Sequence, residues 1–155
     1  MGFGRTAAAL GVGAALIAGM AAAQSAGASA VKARQQNFKQ LGAAFKTVLD
    51  ELKKPSPDKA VLVANATKMN TLASQEASWF PAGSGAESGV KTGAKPEIWS
   101  DAAGFAAAVQ RLQGETAKLQ QAAAGGDLAA VRAQAQATGG ACKNCHDKYR
   151  VPDQH

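Results

Sequence analysis

The sequence predicts an all-α fold, an antiparallel up-down-up-down four-helix bundle. Apolar residues recur at three- and four-residue spacing through four successive segments, each bounded by Pro, Gly or a capping Ser or Asp. The first and third connections are short, which makes neighbouring helices antiparallel, and no stretch keeps the period-two alternation of a half-buried strand.

The first helix is expected from Val31 to Lys54, with Phe38, Leu41, Phe45, Val48, Leu49 and Leu52 on its apolar stripe. Pro55-Ser56-Pro57 stops it. Ser56 offers an N-cap oxygen and Pro57 suits the first helical position. The second helix should therefore run from about Pro57 to Ser78, with Val61 or Leu62, Met69, Leu72 and Ala73 inward. Pro81 to Pro96 reads as the one long loop. Ser100 is placed to cap a third helix whose buried side carries Phe105, Val109, Leu112 and Leu119 and which ends near Gly125-Gly126. Asp127 can cap the fourth, where Leu128, Val131, Ala135, Thr138, Cys142 and Cys145 keep the three-four alternation.

Residues 1–30 read as a secretory leader rather than a fold element. Arg5 supplies the positive start, Ala7 to Ala23 the apolar run, and two Ala-x-Ala sites compete for cleavage, after Ala23 or after Ala30. The run is short and Ala/Gly-rich for a membrane span, so no span is expected after cleavage. Residues 31–155 then form one domain with one core. Of 17 Lys and Arg only Arg5 lies in the leader, leaving 16 against 11 Asp and Glu, a net +5. The basic residues alternate with acids and no aromatic-studded basic stripe appears, which argues against a nucleic-acid partner.

The chemistry concentrates near the C-terminus, in Cys142-Lys143-Asn144-Cys145-His146. This Cys-x-x-Cys-His run reads as a covalent attachment site for one haem c. Two thiols must add to two vinyl groups while an imidazole reaches the iron, and on a helix positions 142, 145 and 146 share one face. A redox dithiol expects a βαβ context that is missing, and a zinc site would need a fourth good ligand, for which the terminal His155 is a poorly constrained candidate. Both cysteines lie in phase with the buried stripe, so the haem attaches inside the bundle. Gly139 and Gly140, which cost a helix about 1 kcal/mol each, would let the macrocycle approach the backbone.

With this motif at the C-terminal end followed by Tyr149-Arg150, Val31-Lys32-Ala33-Arg34-Gln35 opening the first helix and Pro96-Glu97-Ile98-Trp99-Ser100-Asp101 opening the third, the chain resembles the cytochromes c′, the class II c-type cytochromes. The resemblance covers nearly all of the chain after the leader. It implies His146 as the proximal iron ligand, Arg34 near a haem propionate, a basic role for Arg150 on the proximal side, and a homodimer paired through the first two helices. Low-spin members place a methionine ligand four residues after the arginine that matches Arg34, and here that position is Phe38.

A phenylalanine cannot ligate iron. The expectation is therefore a five-coordinate, high-spin iron in a periplasmic protein that binds nitric oxide or carbon monoxide and transfers electrons to an unknown redox partner. No hydrogen-bond donor for bound dioxygen is evident beside Phe38 and Leu41, which favours the other two gases. The alternative is a low-spin electron carrier with an unidentified sixth ligand. Met1 and Met20 fall in the leader, leaving Met69 and His155, the one better suited to core filling and the other terminal. Trp79, Phe80 and Trp99 are expected to close the bundle around the haem edge. No acid, base or nucleophile constellation accompanies the motif, so enzymatic turnover is not expected.

Overall fold

A computed structural model of the protein describes residues 11–152, with side chains from Gln24 onward. Its elements are α1 (Gly11–Glu51), α2 (Lys59–Gln75), a 3₁₀ turn over Glu76–Trp79, a second over Ala86–Ser88, the one-turn helix α3 (Glu97–Ser100), α4 (Ala102–Gly125) and α5 (Leu128–Tyr149). The four long helices form the expected bundle, α1 packing on α2, α2 on α4 and α4 on α5. Among the described residues the nearest thing to a strand is one isolated antiparallel bridge, Ala94 with Arg150.

The inward stripes largely follow the periodicity. Leu41 and Val48 of α1, Leu52 just beyond its end, and Phe105, Val109, Leu112 and Leu119 of α4 are buried, while Leu49 is 37% exposed. On α2 the phase settles on Leu62 rather than Val61, continuing through Ala66, Met69 and Ala73. Leu62, Met69 and Leu119 are almost wholly enclosed. Each contributes roughly 1.5–3 kcal/mol of burial, which holds the weakly patterned α2 against α4. A second cluster of Ile98, Phe105, Val109 and Tyr149, with Phe80, Trp99 and Cys145 packed against it, fills the end where α5 terminates.

Two cap assignments move by one or two residues. Asp58, not Ser56, caps α2, its Oδ1 accepting the Ala60 N–H at 2.8 Å. The Glu51 carboxylate reaches across the connection to accept the Asp58 N–H at 2.7 Å and the Lys54 ammonium at 2.6 Å, which fixes where the helix can begin. Ser100 is absorbed into α3, and Asp101 caps α4 through the Gly104 N–H at 3.2 Å. Asp127 caps α5 as expected, and α4 ends on Gly126 at φ 83°, a conformation that suits glycine.

The largest difference lies at the start. α1 runs unbroken from Gly11 through the point where Val31 was expected to open it, because the segment contains no proline and its many alanines, with the best helix propensity, outweigh its few glycines. Gln24 to Ala30 belong structurally to the bundle. Gly27 lies so close to the Gly83 carbonyl that a Cβ there would collide with it, and Ser88 is packed alongside. Gly139 also has a different neighbour from the one expected: a Cβ there would meet the Phe45 ring at 3.5 Å, so this glycine lets α1 approach α5. Nothing lies within 4 Å of the corresponding point on Gly140. Met1, Met20 and His155 lie outside the described side chains. No helix among the described residues is long and apolar enough to cross a membrane.

Candidate functional site

Cys142 and Cys145 are half-buried on one face of α5, and His146 stands exposed in the last turn. Four hydrogen bonds hold this end of the helix. The buried Tyr149 donates its hydroxyl to Asp101 Oδ2 at 2.8 Å, and Lys148 Nζ donates to the same oxygen at 2.6 Å. Beyond the helix, the Lys95 N–H donates to the Tyr149 carbonyl at 3.0 Å and the Val151 N–H to the Gly93 carbonyl at 2.8 Å. The Asp101 carboxyl is held below its ordinary range by the Lys148 hydrogen bond first, then those of Tyr149 and the Gly104 N–H. Thus one carboxylate caps α4 and clamps the helix that carries both cysteines.

Facing this helix, aromatic rings form a continuous chain. Phe38 meets Trp79 edge-on at 5.0 Å and Phe80 at 6.0 Å; Phe80 meets Phe105 at 4.8 Å, and Phe105 meets Tyr149 at 5.3 Å. Centroid distances in this range are those of favourable edge-to-face pairs. Trp99 joins from the side, donating its indole N–H to the Phe80 carbonyl at 3.2 Å. The chain runs from α1 to the last residue of α5. Its Phe38, Phe80 and Phe105 rings carry no atom that can coordinate a metal.

Arg34 has a role that sequence alone did not show. It is only 3% exposed, and its Nη1 donates to the Trp79 carbonyl at 3.2 Å and to Ser84 Oγ at 2.9 Å. Nη2 donates to the Ser84 carbonyl at 2.9 Å and to Thr92 Oγ1 at 3.0 Å. These bonds use the four Nη protons and leave Nε–H as the remaining donor. The guanidinium carbon also lies 4.6 Å from the Phe80 ring centroid. Burial pulls the Arg34 pKa below its ordinary value, with the nearby Glu87 charge opposing. Arg34 therefore braces the long loop.

Arg150 also departs from its expected geometry. A continuing helix would put it on the face of His146, four residues on, but α5 ends at Tyr149 and Arg150 is extended at φ −116° and ψ 135°. The bridge to Ala94 pulls it out of the helix. Its N–H still donates to the His146 carbonyl at 3.0 Å.

Sequence reasoning passed over Glu76 altogether. It is 2% exposed, and its Oε2 has no hydrogen-bond partner. Burial pushes its carboxyl up to about 7. The signal was present, since Leu62, Ala66, Met69, Ala73 and Glu76 share one three-four rhythm, and a carboxylate in that phase must enter the interior. Burial, and then the charge of Glu76, push the Cys142 thiol up to about 11 and the Cys145 thiol up to about 12. A redox dithiol needs the opposite shift, so the dithiol reading loses its chemical basis.

Two half-buried sulfurs on one helical face, an imidazole beside them, a wall of aromatic rings and a buried carboxyl oxygen without a partner fit a large, flat, mostly apolar group held covalently. The bundle and motif together define a C-terminally attached, c-type haem protein. A family model described as Cytochrome C′ matches residues 29–150, and the chain belongs to that family. Cytochrome c′ of Rubrivivax gelatinosus is 38% identical over 122 residues, covering 78% of this chain and 93% of the relative. The crystal structure of the R. gelatinosus protein superposes with a TM-score of 0.74 at 36% identity, over 80% of this chain and 96% of that one. A nitric oxide complex of a variant cytochrome c prime from Alcaligenes xylosoxidans gives 0.71 at 36% identity, over 79% and 94%. Members of the family carry covalent haem c, and Cys142 to His146 supply the matching motif.

Proposed function

We propose that this protein is a periplasmic carrier whose haem iron is five-coordinate and high-spin, binding nitric oxide and carbon monoxide and passing single electrons. Cys142 and Cys145 would hold the group through thioethers, and His146 would supply the one axial nitrogen. When bound, haem supplies the redox-active iron and its open coordination position. The observation that carries the reading is Phe38, a ring fixed by Trp79 and Phe80 where low-spin relatives are expected to offer a methionine. Met69 supports it, since this side chain is 1% exposed and belongs to the main hydrophobic core cluster. Arg34 can offer its Nε–H to a propionate while its other donors hold the loop. Arg150 contributes positive charge beside the end of α5. The absorption spectrum of the oxidised and reduced holoprotein, with and without nitric oxide, tests the assignment. High-spin bands that change on adding the gas are expected; a low-spin spectrum in both oxidation states sinks it.

Export belongs to the same reading, and packing separates the two cleavage sites. Cutting after Ala30 would remove Gly27 from its contact with Gly83 and Ser88, whereas cutting after Ala23 keeps it. The intact mass of the periplasmic protein should therefore correspond to a chain beginning at Gln24. A chain beginning at Val31 contradicts this assignment.

A homodimer through α1 and α2 completes the proposal. Among the small residues of α1 and α2 that would allow close helix approach, Ala44 and Ala66 face the protomer's own core, while Ala43 and Ala64 are exposed. Sedimentation at micromolar concentration is expected to give twice the chain mass, and monomer alone would remove the dimer.

A further inference from the structure

We propose that Glu76 is a redox-linked proton site: its carboxylate takes up one proton from solvent when the haem iron accepts one electron, and releases it on reoxidation. The proposal rests on the haem c of the family and not on the number of iron ligands.

Glu76 opens the 3₁₀ turn that ends at Trp79, and in such a turn positions three apart are eclipsed, so both side chains leave on one side. Trp79, 7% exposed, packs edge-on against Phe38, which places Glu76 beside the aromatic chain. The negative charge of Glu76 also raises the thiol pKa of both Cys142 and Cys145, after burial. The Oε2 atom is fully enclosed and has no partner. A carboxylate in that setting is costly unless it is neutralised by a proton or by a neighbouring positive charge.

Little else competes for that role. The buried faces of α2 (Leu62, Ala66, Met69, Ala73) and α4 (Phe105, Val109, Leu112, Thr116) carry no ionisable group. On α1 the buried ionisable residues are Arg34, committed to Trp79, Ser84 and Thr92, and Glu51, committed to Lys54 and the Asp58 N–H. On α5 the facing groups are Cys142 and Cys145, which cease to titrate once they are thioethers.

Ferric haem carries one more positive charge than ferrous haem. Glu76 is therefore held more firmly as carboxylate beside ferric iron and binds its proton more tightly beside ferrous iron. A unit change of charge inside a low-dielectric interior is expected to alter the proton affinity on the order of tenfold. With burial already placing the carboxyl at about 7, the coupling falls in the neutral range.

The test is the midpoint potential of the holoprotein from pH 5 to 9, for the parent, Glu76→Gln and Glu76→Asp. The parent should show a potential that falls through the neutral range and is flat on either side, with its two bends about one pH unit apart. Glu76→Gln should flatten the curve, and Glu76→Asp should keep a sloping segment with displaced bends. Reduced-minus-oxidised infrared spectra should show a protonated carboxyl band that Glu76→Gln lacks. A flat parent curve overturns the proposal, and so does a slope that survives in Glu76→Gln, which would belong to a propionate.

Thermal stability separates coupling from burial alone. The folded carboxyl sits above its ordinary value, so its contribution to stability is present below about 4.5 and is lost as pH rises through about 7. Glu76→Gln should thus match the parent at pH 4 and exceed it at pH 8. That gain with an unchanged potential profile would mean a buried carboxyl without redox coupling, and would overturn the proposal.

Discussion

Replacing Phe38 with Met is expected to convert a substantial fraction of the ferrous protein from high-spin to six-coordinate, low-spin haem. The substitution places a flexible thioether on the buried side of α1, where Trp79 and Phe80 now hold a ring at 5.0 and 6.0 Å. Phe38→Ala should act in the opposite sense. Carbon monoxide should associate faster because the lid is gone, at a cost of roughly 3 kcal/mol for truncating a packed phenylalanine. Absorption spectra and stopped-flow carbon monoxide binding measure both effects. An unchanged spin state in the Met variant together with an unchanged rate in the Ala variant would mean that Phe38 does not cover the iron.

Arg34→Ala should be among the most destabilising single changes outside the hydrophobic core. It removes four hydrogen bonds from a buried cation and leaves the Trp79 and Ser84 carbonyls without their donors. Charge-assisted bonds contribute roughly 1.5–3 kcal/mol each, not additively, so a loss of at least about 3 kcal/mol is expected. Amide exchange should rise mainly between residues 79 and 92, the segment Arg34 holds. Arg34→Lys keeps the charge but loses the planar fork and should fall between the two. If exchange in that segment stays at the parent level while the haem spectrum or potential shifts, a propionate rather than the loop is the principal partner of Arg34.

The loop assignment illustrates where sequence reasoning stops. Pro81 to Pro96 was legible as a connection from its glycines and prolines, but its anchor, Arg34, lies some fifty positions upstream on another helix. Nothing local in Ser84 or Thr92 signals that pairing. The clamp of Asp101 on Tyr149 and Lys148 is hidden for the same reason, since it joins residues separated by most of α4 and α5.

Periodic features fared differently. Four apolar stripes at helical spacing, the Gly125-Gly126 stop and the Asp127 cap follow from the geometry of a single helix, so the sequence by itself determined the all-α bundle. The spacing of Cys142, Cys145 and His146 likewise determined the cofactor, because thioether attachment and axial ligation need those atoms on one helical face. Tertiary structure decided the rest. It extended α1 back through Gly27, which only a glycine can bring against Gly83. It ended α5 at Tyr149 by pairing Arg150 with Ala94. It also enclosed Glu76, whose position in the α2 rhythm pointed inward but whose missing partner became visible only once the facing helices were in place. The physical reason is range: helix phase and motif spacing are properties of neighbouring residues, whereas burial, desolvation and charge pairing depend on segments that only folding brings together.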